Sequence, residues 1–526
     1  MGDGFRESMS WLHTWAGVML GALLFAIFWM GTLSVFDREI DRWMMPMTRI
    51  SEPPPSSPKT WLTAVQRNFD AEGARQWWFE LPAPRRPVVE FWYHYADADW
   101  EGPFFLHPAS GEPLPDAGTK AGNGFIFPFH FSLHLRWMDL GYWIVGLAAM
   151  AMLVLLISGV VIHRRIWIDF FTLRWQRKMP RSSLDLHNLT GVLALPFHVM
   201  ITVSGLIIFM TIYFPQAPGL VYAEAEDPHA IFIEEAFGGY HREALGVPGP
   251  LPALHVLLAE AERQWGRGSA SVIELWHPLD AASYVWISRS YADRVTMIRD
   301  RLSFDAGTGA ILDRKEGAPP VMTTQRFLSG MHFIQFDHWP LRWLYFVLGL
   351  SGCVMIATGY IYWLETRRKR HVKLGLPGVR IVEGLTVGAV TGIVIATLAF
   401  FVVNRLLPLG VSFAGYERAA LEIWTFYLVW LATFAHAWLR PGHAWQEQSW
   451  AIAGLAALAP LLNGITTGDH LIKTISEGYW PVAGMDLMLL LGAMLAFFAA
   501  RGLRRGRAAV SVSAQKPGPG PEKQHV

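Results

Sequence analysis

Two histidines stand in one strongly apolar stretch of the chain, "SLDLHNLTGVLALPFHVMITVSGL" at residues 183–206. They are His187 and His198, which are eleven residues apart. On a helix this separation corresponds to three full turns plus roughly 20° and to a rise of about 16 Å. The two imidazoles would therefore share a helix face at different depths. Because an imidazole in lipid is costly without a partner, we expect both rings to bind something.

The chemistry that suits paired imidazoles at two depths of a membrane is the binding of b-type haem. Each haem iron takes histidine nitrogens from facing helices, which also gives the buried lone pair of each ring a partner. The single cysteine, Cys353, excludes covalent CxxCH attachment, Cys-ligated zinc, iron–sulfur clusters and intramolecular disulfides. We therefore expect non-covalent haem b, with two haems in the chain.

The elements that must position these histidines are membrane helices. Of the 526 residues, 52% are hydrophobic and 17% are charged, which is typical of a membrane protein. The net charge of +1 gives no indication of a nucleic-acid partner. Span seven is the weakest of eight candidates, because it is short and interrupted by Pro460. The stretches that reach the ~20 residues needed to cross a bilayer, numbered spans one to eight, lie near 11–34, 141–163, 186–213, 341–364, 382–403, 418–438, 449–466 and 481–501.

Basic residues cluster on one side of this eight-span arrangement. They occupy the loop 164–181, the loop 367–380 and the segment that follows Arg501. By the positive-inside rule that side is the cytoplasm, where both termini then lie. Span one is expected to be a retained helix, because no small-residue cleavage site follows it. The sequence thus predicts a multi-pass protein of the bacterial inner (cytoplasmic) membrane, in contact with membrane lipid.

This topology divides the chain into seven parts. The two large segments between odd and even spans lie outside the cytoplasm, and the final tail has a composition typical of disorder. The parts are residues 1–36 with span one, 37–140 as a first periplasmic domain, 141–213 with spans two and three and a basic loop, 214–340 as a second periplasmic domain, 341–380 with span four and a basic loop, 381–503 as an additional four-helix region, and 504–526 as a disordered cytoplasmic tail.

The front half of the chain is an internal duplication. Span one, "LHTWAGVMLGALLFAIFWMGTL", aligns without gaps to span three, "LHNLTGVLALPFHVMITVSGLI". His13 matches His187 in this alignment, and Leu24 stands where span three has His198. Gly17 and Gly31 match Gly191 and Gly205. The segments before spans two and four, "FHFSLHLRW" (129–137) and "MHFIQFDHWPLRW" (331–343), also echo each other, so the unit of helix, external domain and helix occurs twice.

The two external domains show the same order of predicted elements. Each begins with a helix, at 59–70 or 251–265, and continues with strands. Each contains a tight turn, "HPASGEPL" or "FDAGTGAIL", in which Gly111 or Gly309 must adopt a positive φ. The predicted strands are 76–81, 87–95 and 102–107 in the first domain and 271–277, 283–290 and 294–304 in the second.

The pattern D-x-x-T-G-x-x-L after a helix and strands resembles the PepSY domain. Duplicated domains of this kind between helices, with "LHxxxG" opening the odd spans and "HRR" closing span two, resemble the PepSY-associated transmembrane family over roughly residues 5–370. The resemblance implies a polytopic α-helical membrane protein of about eight transmembrane helices with two small α+β PepSY-like periplasmic domains. The family includes ferric-siderophore reductases and iron-regulated proteins of the inner membrane. The first domain departs from the motif, with His107 and Ser110 in place of Asp and Thr.

The histidines of the front half sort by depth in the predicted topology. His13, His163 and His187 lie near the cytoplasmic face, and His198 lies about midway along span three. His130, His134, His332 and His338 lie near the periplasmic face. We expect an inner haem bound by His187 with His13 or His163. We expect an outer haem bound by His198 with His332, His134 or His130. The alternative for each interfacial histidine is a solvated side chain without a ligand role.

These assignments predict a haem-containing electron-transfer protein, a haem-dependent transmembrane oxidoreductase of the ferric-reductase type. Its acceptor would be a periplasmic ferric chelate or siderophore, in the service of iron uptake. The chain has no recognisable nicotinamide, flavin or nucleotide motif, so its electron donor would be a quinol or a cytoplasmic reductase. Two alternatives stay open: a PepSY protein that binds peptides or regulates an exported peptidase, and a transporter of iron or siderophore.

Overall fold

The computed structural model describes residues 3–50, 58–69, 71, 73–95, 98–163, 179–224 and 226–515. Within them, seven helices are long and apolar enough to cross a membrane, and a bent pair of helices supplies an eighth span. The expected polytopic helical fold is therefore confirmed. The spans are Asp3–Ser34, Leu140–Ile162, the pair Met179–Leu193 and Leu195–Ile208, Trp339–Lys373, Gly378–Val387 continued through Gly388–Gly392 to Ile393–Leu406, Arg418–Leu439, Ala444–Thr467 and Trp480–Gln515.

Span three is bent by 63° between its two helices. Pro196 lies in the first turn of the second helix, where its ring nitrogen has no hydrogen to donate to the preceding turn. The helix resumes with the bond from the amide of His198 to the carbonyl of Ala194, at 2.8 Å. Because of this bend, the prediction that His187 and His198 share one face of a straight helix does not hold.

Two other boundaries differ from the prediction. Span seven is one continuous helix with Pro460 inside it, and spans of this kind tolerate an interior proline. Span eight continues as a helix to Gln515, although we expected disorder from residue 504. The remaining tail residues lie outside the described part of the chain. Most of the basic loop at 164–181 also lies outside the described residues, and this part includes Arg164, Arg165, Arg174, Arg177 and Lys178.

The first four spans form a bundle. Span one packs against spans two and four, the first helix of span three packs against span four, and the second helix of span three packs against span two. Short helices flank these spans and lead into or out of the external region. These flanking helices are Asp37–Met44, Phe127–Ser132, Met210–Tyr213, Ala217–Val221, Pro228–Phe237 and Pro320–Phe333; another short helix, Leu471–Ser476, lies between spans seven and eight.

The external segments share a single antiparallel sheet rather than forming two separate ones. Its strands are β1 Gln76–Glu80, β2 Val89–His94, β3 Glu101–Leu106, β4 Ala270–Trp276, β5 Tyr284–Arg289, β6 Arg301–Asp305 and β7 Ile311–Lys315, in the order β3-β2-β1-β4-β5-β6-β7. The two segments meet where β1 pairs with β4, with Trp78 opposite Glu274. The strand expected at 294–304 begins only at Arg301.

Two helices cover one face of this sheet. They are Pro58–Asn68 and Leu254–Trp265, and their apolar side chains, such as Trp61 and Leu257, share one core with the strands. The predicted turn glycines are confirmed, because Gly111 and Gly309 have φ values of +74° and +72°. A small hairpin, Ser412–Phe413 with Tyr416–Glu417, connects spans five and six.

Buried polar contacts join the helix Asp37–Met44 to the last four spans. The indole nitrogen of Trp43 donates to Asp486 Oδ1 at 2.7 Å, and Arg42 Nη2 donates to the hydroxyl of Tyr479 at 2.7 Å. Asp486 is fully buried in span eight and also accepts from Asn463 at 3.4 Å. The additional four helices are therefore connected to the front half by specific hydrogen bonds as well as by apolar packing.

We predict that Trp43→Phe destabilises the protein, because it leaves the buried Asp486 carboxylate without its closest donor. The expected loss is about 1–3 kcal/mol of the free energy of unfolding. It would be measured as a lower thermal midpoint in detergent. Trp480→Phe is the control, since that ring is 60% exposed. Equal midpoints for the two variants would contradict a structural role for the bond.

Candidate functional site

Two pairs of histidines face each other inside the front bundle. The ring centroids of His13 and His187 are 6.2 Å apart, and those of His130 and His332 are 5.9 Å apart. His13 and His187 occupy equivalent positions in spans one and three. His130 and His332 lie on the short helices that precede spans two and four. The duplication thus places each pair about one pseudo-two-fold axis.

Main-chain carbonyls orient both rings of the inner pair. His13 Nδ1 lies 3.0 Å from the carbonyl of Leu155 in span two, and His187 Nδ1 lies 2.8 Å from the carbonyl of Met355 in span four. A carbonyl oxygen can only accept, so Nδ1 carries the hydrogen in each ring. The lone pair of each neutral imidazole therefore lies on Nε2.

The outer pair is oriented in the same way. His130 Nδ1 lies 2.9 Å from the carbonyl of Ile27, and His332 Nδ1 lies 3.0 Å from Ser204 Oγ. Ser204 donates its own hydrogen to the carbonyl of Met200 at 2.7 Å, so its oxygen accepts from His332. Among the described residues, none of these four rings makes a hydrogen bond through Nε2. Histidines that ligate metals have this arrangement, in which the second ring nitrogen is fixed by an acceptor.

Each of the four rings packs against a glycine on a neighbouring helix. A side chain at these positions would collide with the imidazole or press on it closely. The contacts, measured from the ring to an ideal Cβ on the glycine, are His13 with Gly159 at 3.3 Å, His187 with Gly359 at 3.2 Å, His130 with Gly31 at 2.7 Å and His332 with Gly205 at 2.9 Å. The conformations of the histidines therefore depend on the absence of a Cβ at four places.

A cavity adjoins each pair. The inner pair and His163 line a cavity of about 430 Å³, and the outer pair lines one of about 140 Å³. Leu24 and Met152 line both cavities, so one layer of side chains separates them. No cluster of three or more His, Cys, Asp or Glu side chains that could hold a bare metal ion occurs among the described residues.

The remaining predicted site residues lie apart from the two facing pairs. His163 ends span two, and its Nδ1 is buried without a hydrogen-bond partner in the described part of the chain. His134 contacts the carbonyl of Phe125 through Nε2 at 2.9 Å and stacks on the ring of that residue. His338 accepts from the amide of Leu341 and caps span four. None of these three residues belongs to a facing pair.

His198 differs most from the expected arrangement. It is fully buried, lines neither cavity, and packs edge-on against Phe28 with ring centroids 5.8 Å apart. Neither of its ring nitrogens has a hydrogen-bond partner among the residues that the structure describes. Instead of pairing with His198, His332 faces His130. The bend at Ala194 and Pro196 accounts for this difference, because it redirects the second half of span three.

Comparison with known proteins identifies one family and one relative. The PepSY-associated TM region family matches residues 10–366. The "Uncharacterized protein PA4219" of Pseudomonas aeruginosa is 27% identical over 380 residues, which are 67% of this chain and 88% of that protein. The family match includes both histidine pairs and the whole seven-stranded sheet, and it ends before span five.

We predict that Gly31→Ala lowers stability, because the added methyl group must displace the His130 ring. Overpacking of this kind costs about 1–3 kcal/mol. Gly492→Ala is the matched control, since an added Cβ there meets no atom within 4 Å. Thermal midpoints in detergent would be compared. A Gly31→Ala variant as stable as Gly492→Ala would show that the ring is not held tightly.

Proposed function

The chain belongs to the PepSY-associated TM region family, and we propose that it binds two b-type haems and transfers electrons across a membrane. The observation that carries the proposal is the pair of facing imidazoles at each of two depths. In all four rings Nδ1 is bonded and Nε2 makes no hydrogen bond to any residue that the structure describes. His13 and His187 would bind the inner haem. His130 and His332 would bind the outer haem.

The spacing within each pair fits this cofactor. Two imidazoles on opposite faces of one metal ion, with bonds of about 2 Å, have ring centroids about 6 Å apart. The separations here are 6.2 and 5.9 Å. The bonds from Nδ1 to an acceptor also favour ligation, because they fix the tautomer and raise the basicity of Nε2.

Bound haem would supply reversible one-electron chemistry at its iron, and the surrounding side chains control access to it. The outer cavity is lined largely by apolar residues, and its wall includes Ile27, Phe131 and Phe209. Such walls keep water from the ligand nitrogens. Leu24 and Met152 line both cavities, so an electron passing between haems bound there would cross the layer that holds these two side chains.

The direction of transfer follows from the expected orientation of the spans. The inner pair lies near the ends where the basic loops are attached, which the positive-inside rule assigns to the cytoplasm. The outer pair lies towards the seven-stranded sheet. We propose a bacterial inner-membrane protein with both termini in the cytoplasm. It would accept electrons from a quinol or a cytoplasmic reductase and pass them to a periplasmic ferric chelate or siderophore.

A peptide-binding role has less support from the turn that carries the PepSY pattern. Asp305 Oδ1 accepts from the amides of Gly307 and Thr308, so this carboxylate stabilises its own turn. Its Oδ2 accepts from Arg242 at 2.9 Å. His107 replaces Asp305 in the first domain and accepts from the amide of Ser110 at 3.4 Å. The motif residues are thus engaged within their own domain.

We predict two non-covalent haems per chain, all extractable with acid–acetone. His187→Ala and His332→Ala should each reduce the ratio of haem to protein by half, because each removes one ligand of one pair. The matched control is His198→Leu, which introduces the residue that span one has at the equivalent position and should leave both haems. A colourless protein from haem-replete cells would refute the proposal, and loss of a haem in His198→Leu would refute the ligand assignment.

We also predict one-sided reoxidation. Reduced protein in vesicles of known orientation should be reoxidised by ferric citrate, which does not cross the membrane, only when the sheet faces the chelate. His332→Ala should abolish this reaction, and His198→Leu should retain it. The absorption spectrum of the reduced haem is the measurement. Equal rates from both faces would contradict the proposed direction.

A further inference from the structure

The seven-stranded sheet has a polar face opposite the face that its two helices cover. Side chains alternate along β6, so Leu302 and Phe304 enter the helix-covered core while Arg301 and Ser303 point the other way. Ser288 of β5 lies directly opposite Arg301 in the ladder and shares its face. The side chains of Arg301, Ser303 and Ser288 therefore lie together on the polar face.

Polar groups on this face are buried without hydrogen-bond partners. The hydroxyl oxygens of Ser288 and Ser303 have none among the described residues, although these residues are only 0% and 1% exposed. The indole nitrogen of Trp276 on β4 is in the same state. Native proteins satisfy the great majority of such groups, so three on one face indicate that a polar ligand or water belongs there.

Three arginines lie near this part of the sheet, and the charge of Arg299 acts on both Arg301 and Arg326. Arg301 lies over the ring of Trp286 at 4.0 Å, and Arg299 precedes it in the loop that enters β6. Arg326 comes from the helix Pro320–Phe333 and is linked to the same loop, because its carbonyl accepts from the amide of Met297 at 3.2 Å. The side chain of Arg299 lies over the ring of Tyr291, close enough to both other arginines to affect their charges.

Charges of both signs act on these arginines. Burial opposes the charge of Arg299, but Tyr291, Glu80 and Glu274 favour it, and its pKa is raised. Burial lowers the pKa of Arg326, and the neighbouring charge of Arg299 lowers it further. Burial and Arg299 also lower the pKa of Arg301, against the opposing effect of Glu274. The Arg301 Nη2 to Glu274 Oε1 distance is 3.9 Å, so this ion pair is loose. An anion between the arginines would relieve the repulsion.

This region adjoins the outer histidine pair. Arg326 precedes His332 by six residues on one helix, a rise of about 9 Å. Val295, in the loop before Arg299, packs in a cluster with Ile334 and Tyr345. Ile334 and Tyr345 also line the outer cavity. A ligand held by the arginines would therefore lie next to the place where electrons leave the membrane.

We propose that Arg299, Arg301 and Arg326, together with the hydroxyls of Ser288 and Ser303, form a binding site for an anionic ferric chelate with carboxylate groups. Guanidinium groups bind carboxylates through two parallel hydrogen bonds, and the serine hydroxyls supply further donors. This inference rests on the proposed function, because the electrons for a chelate bound here would come from the outer haem. It selects anionic chelates over cationic ones because of its charge.

Calorimetric titration of the purified full-length protein with gallium citrate tests the site. Gallium(III) is not reduced under these conditions, so binding is measured independently of haem and of electron transfer. Arg299→Gln and Arg326→Gln should each weaken binding about tenfold or more, as expected for the loss of a charge-assisted contact. A cationic gallium trihydroxamate should bind at least tenfold more weakly than gallium citrate.

Arg314→Gln is the matched control. Arg314 lies opposite Leu302 in the ladder, so it is on the helix-covered side of the same sheet, and it is exposed. This variant should bind gallium citrate as the unchanged protein does. Arg299 lies in a loop, and the thermal midpoint of Arg299→Gln should equal that of the unchanged protein. Weaker binding by this variant would then result from the lost contact and not from unfolding.

Two results would overturn the site. They are the absence of gallium citrate binding at millimolar concentration and unchanged affinity in the folded Arg299→Gln and Arg326→Gln variants. The His332→Ala variant should still bind gallium citrate. If the purified protein contains no haem but still binds gallium citrate, the absence of haem refutes the proposed electron transfer and the binding leaves the anion site standing.

Discussion

The hydrogen bond from Nδ1 of each paired histidine is the interaction on which the front half of this protein depends. An imidazole in an apolar bundle is tolerated only when its polar atoms have partners. In His13, His187 and His130, Nδ1 donates to a main-chain carbonyl of a neighbouring helix. The same bond fixes the ring and leaves the lone pair on Nε2. Glycine at the contact then allows the helices to approach closely.

The duplication extends this constraint through the whole front half. Spans one and three each supply an inner histidine, and the helices before spans two and four each supply an outer one. The sheet follows the same relation, because the equivalent strands β1 and β4 pair with each other at its centre. In both the membrane bundle and the external sheet, equivalent parts of the two repeats therefore meet, and the cavities lie beside the histidine pairs formed in this way.

Periodicity and internal repeats predict most of the helices and strands. They do not predict which of these elements contact one another. The spans, most strands and the positive φ of Gly111 and Gly309 follow from local sequence, since length, alternation and turn chemistry are local properties. The segments "FHFSLHLRW" and "MHFIQFDHWPLRW" align only with a gap, so the repeat alone did not match His130 to His332, and depth favoured His198 as a ligand. In the structure His332 faces His130, and span three is bent before Pro196 by an angle that hydropathy does not encode. The pairing of β1 with β4 is likewise a tertiary property. Each of the two is the edge strand of its own segment, so its partner comes from the other segment.

The central pairing of β1 with β4 also has a consequence for the origin of the chain. Two equivalent strands that pair antiparallel across an axis form the kind of self-complementary interface by which identical subunits associate. A half-length ancestor, with one span pair and one small sheet, would have assembled as a homodimer through this surface. In a single polypeptide the two halves need not have the same sequence. Two identical subunits could not differ in sequence as the two halves of this chain do. Examples are Leu24 against His198 and His107 against Asp305.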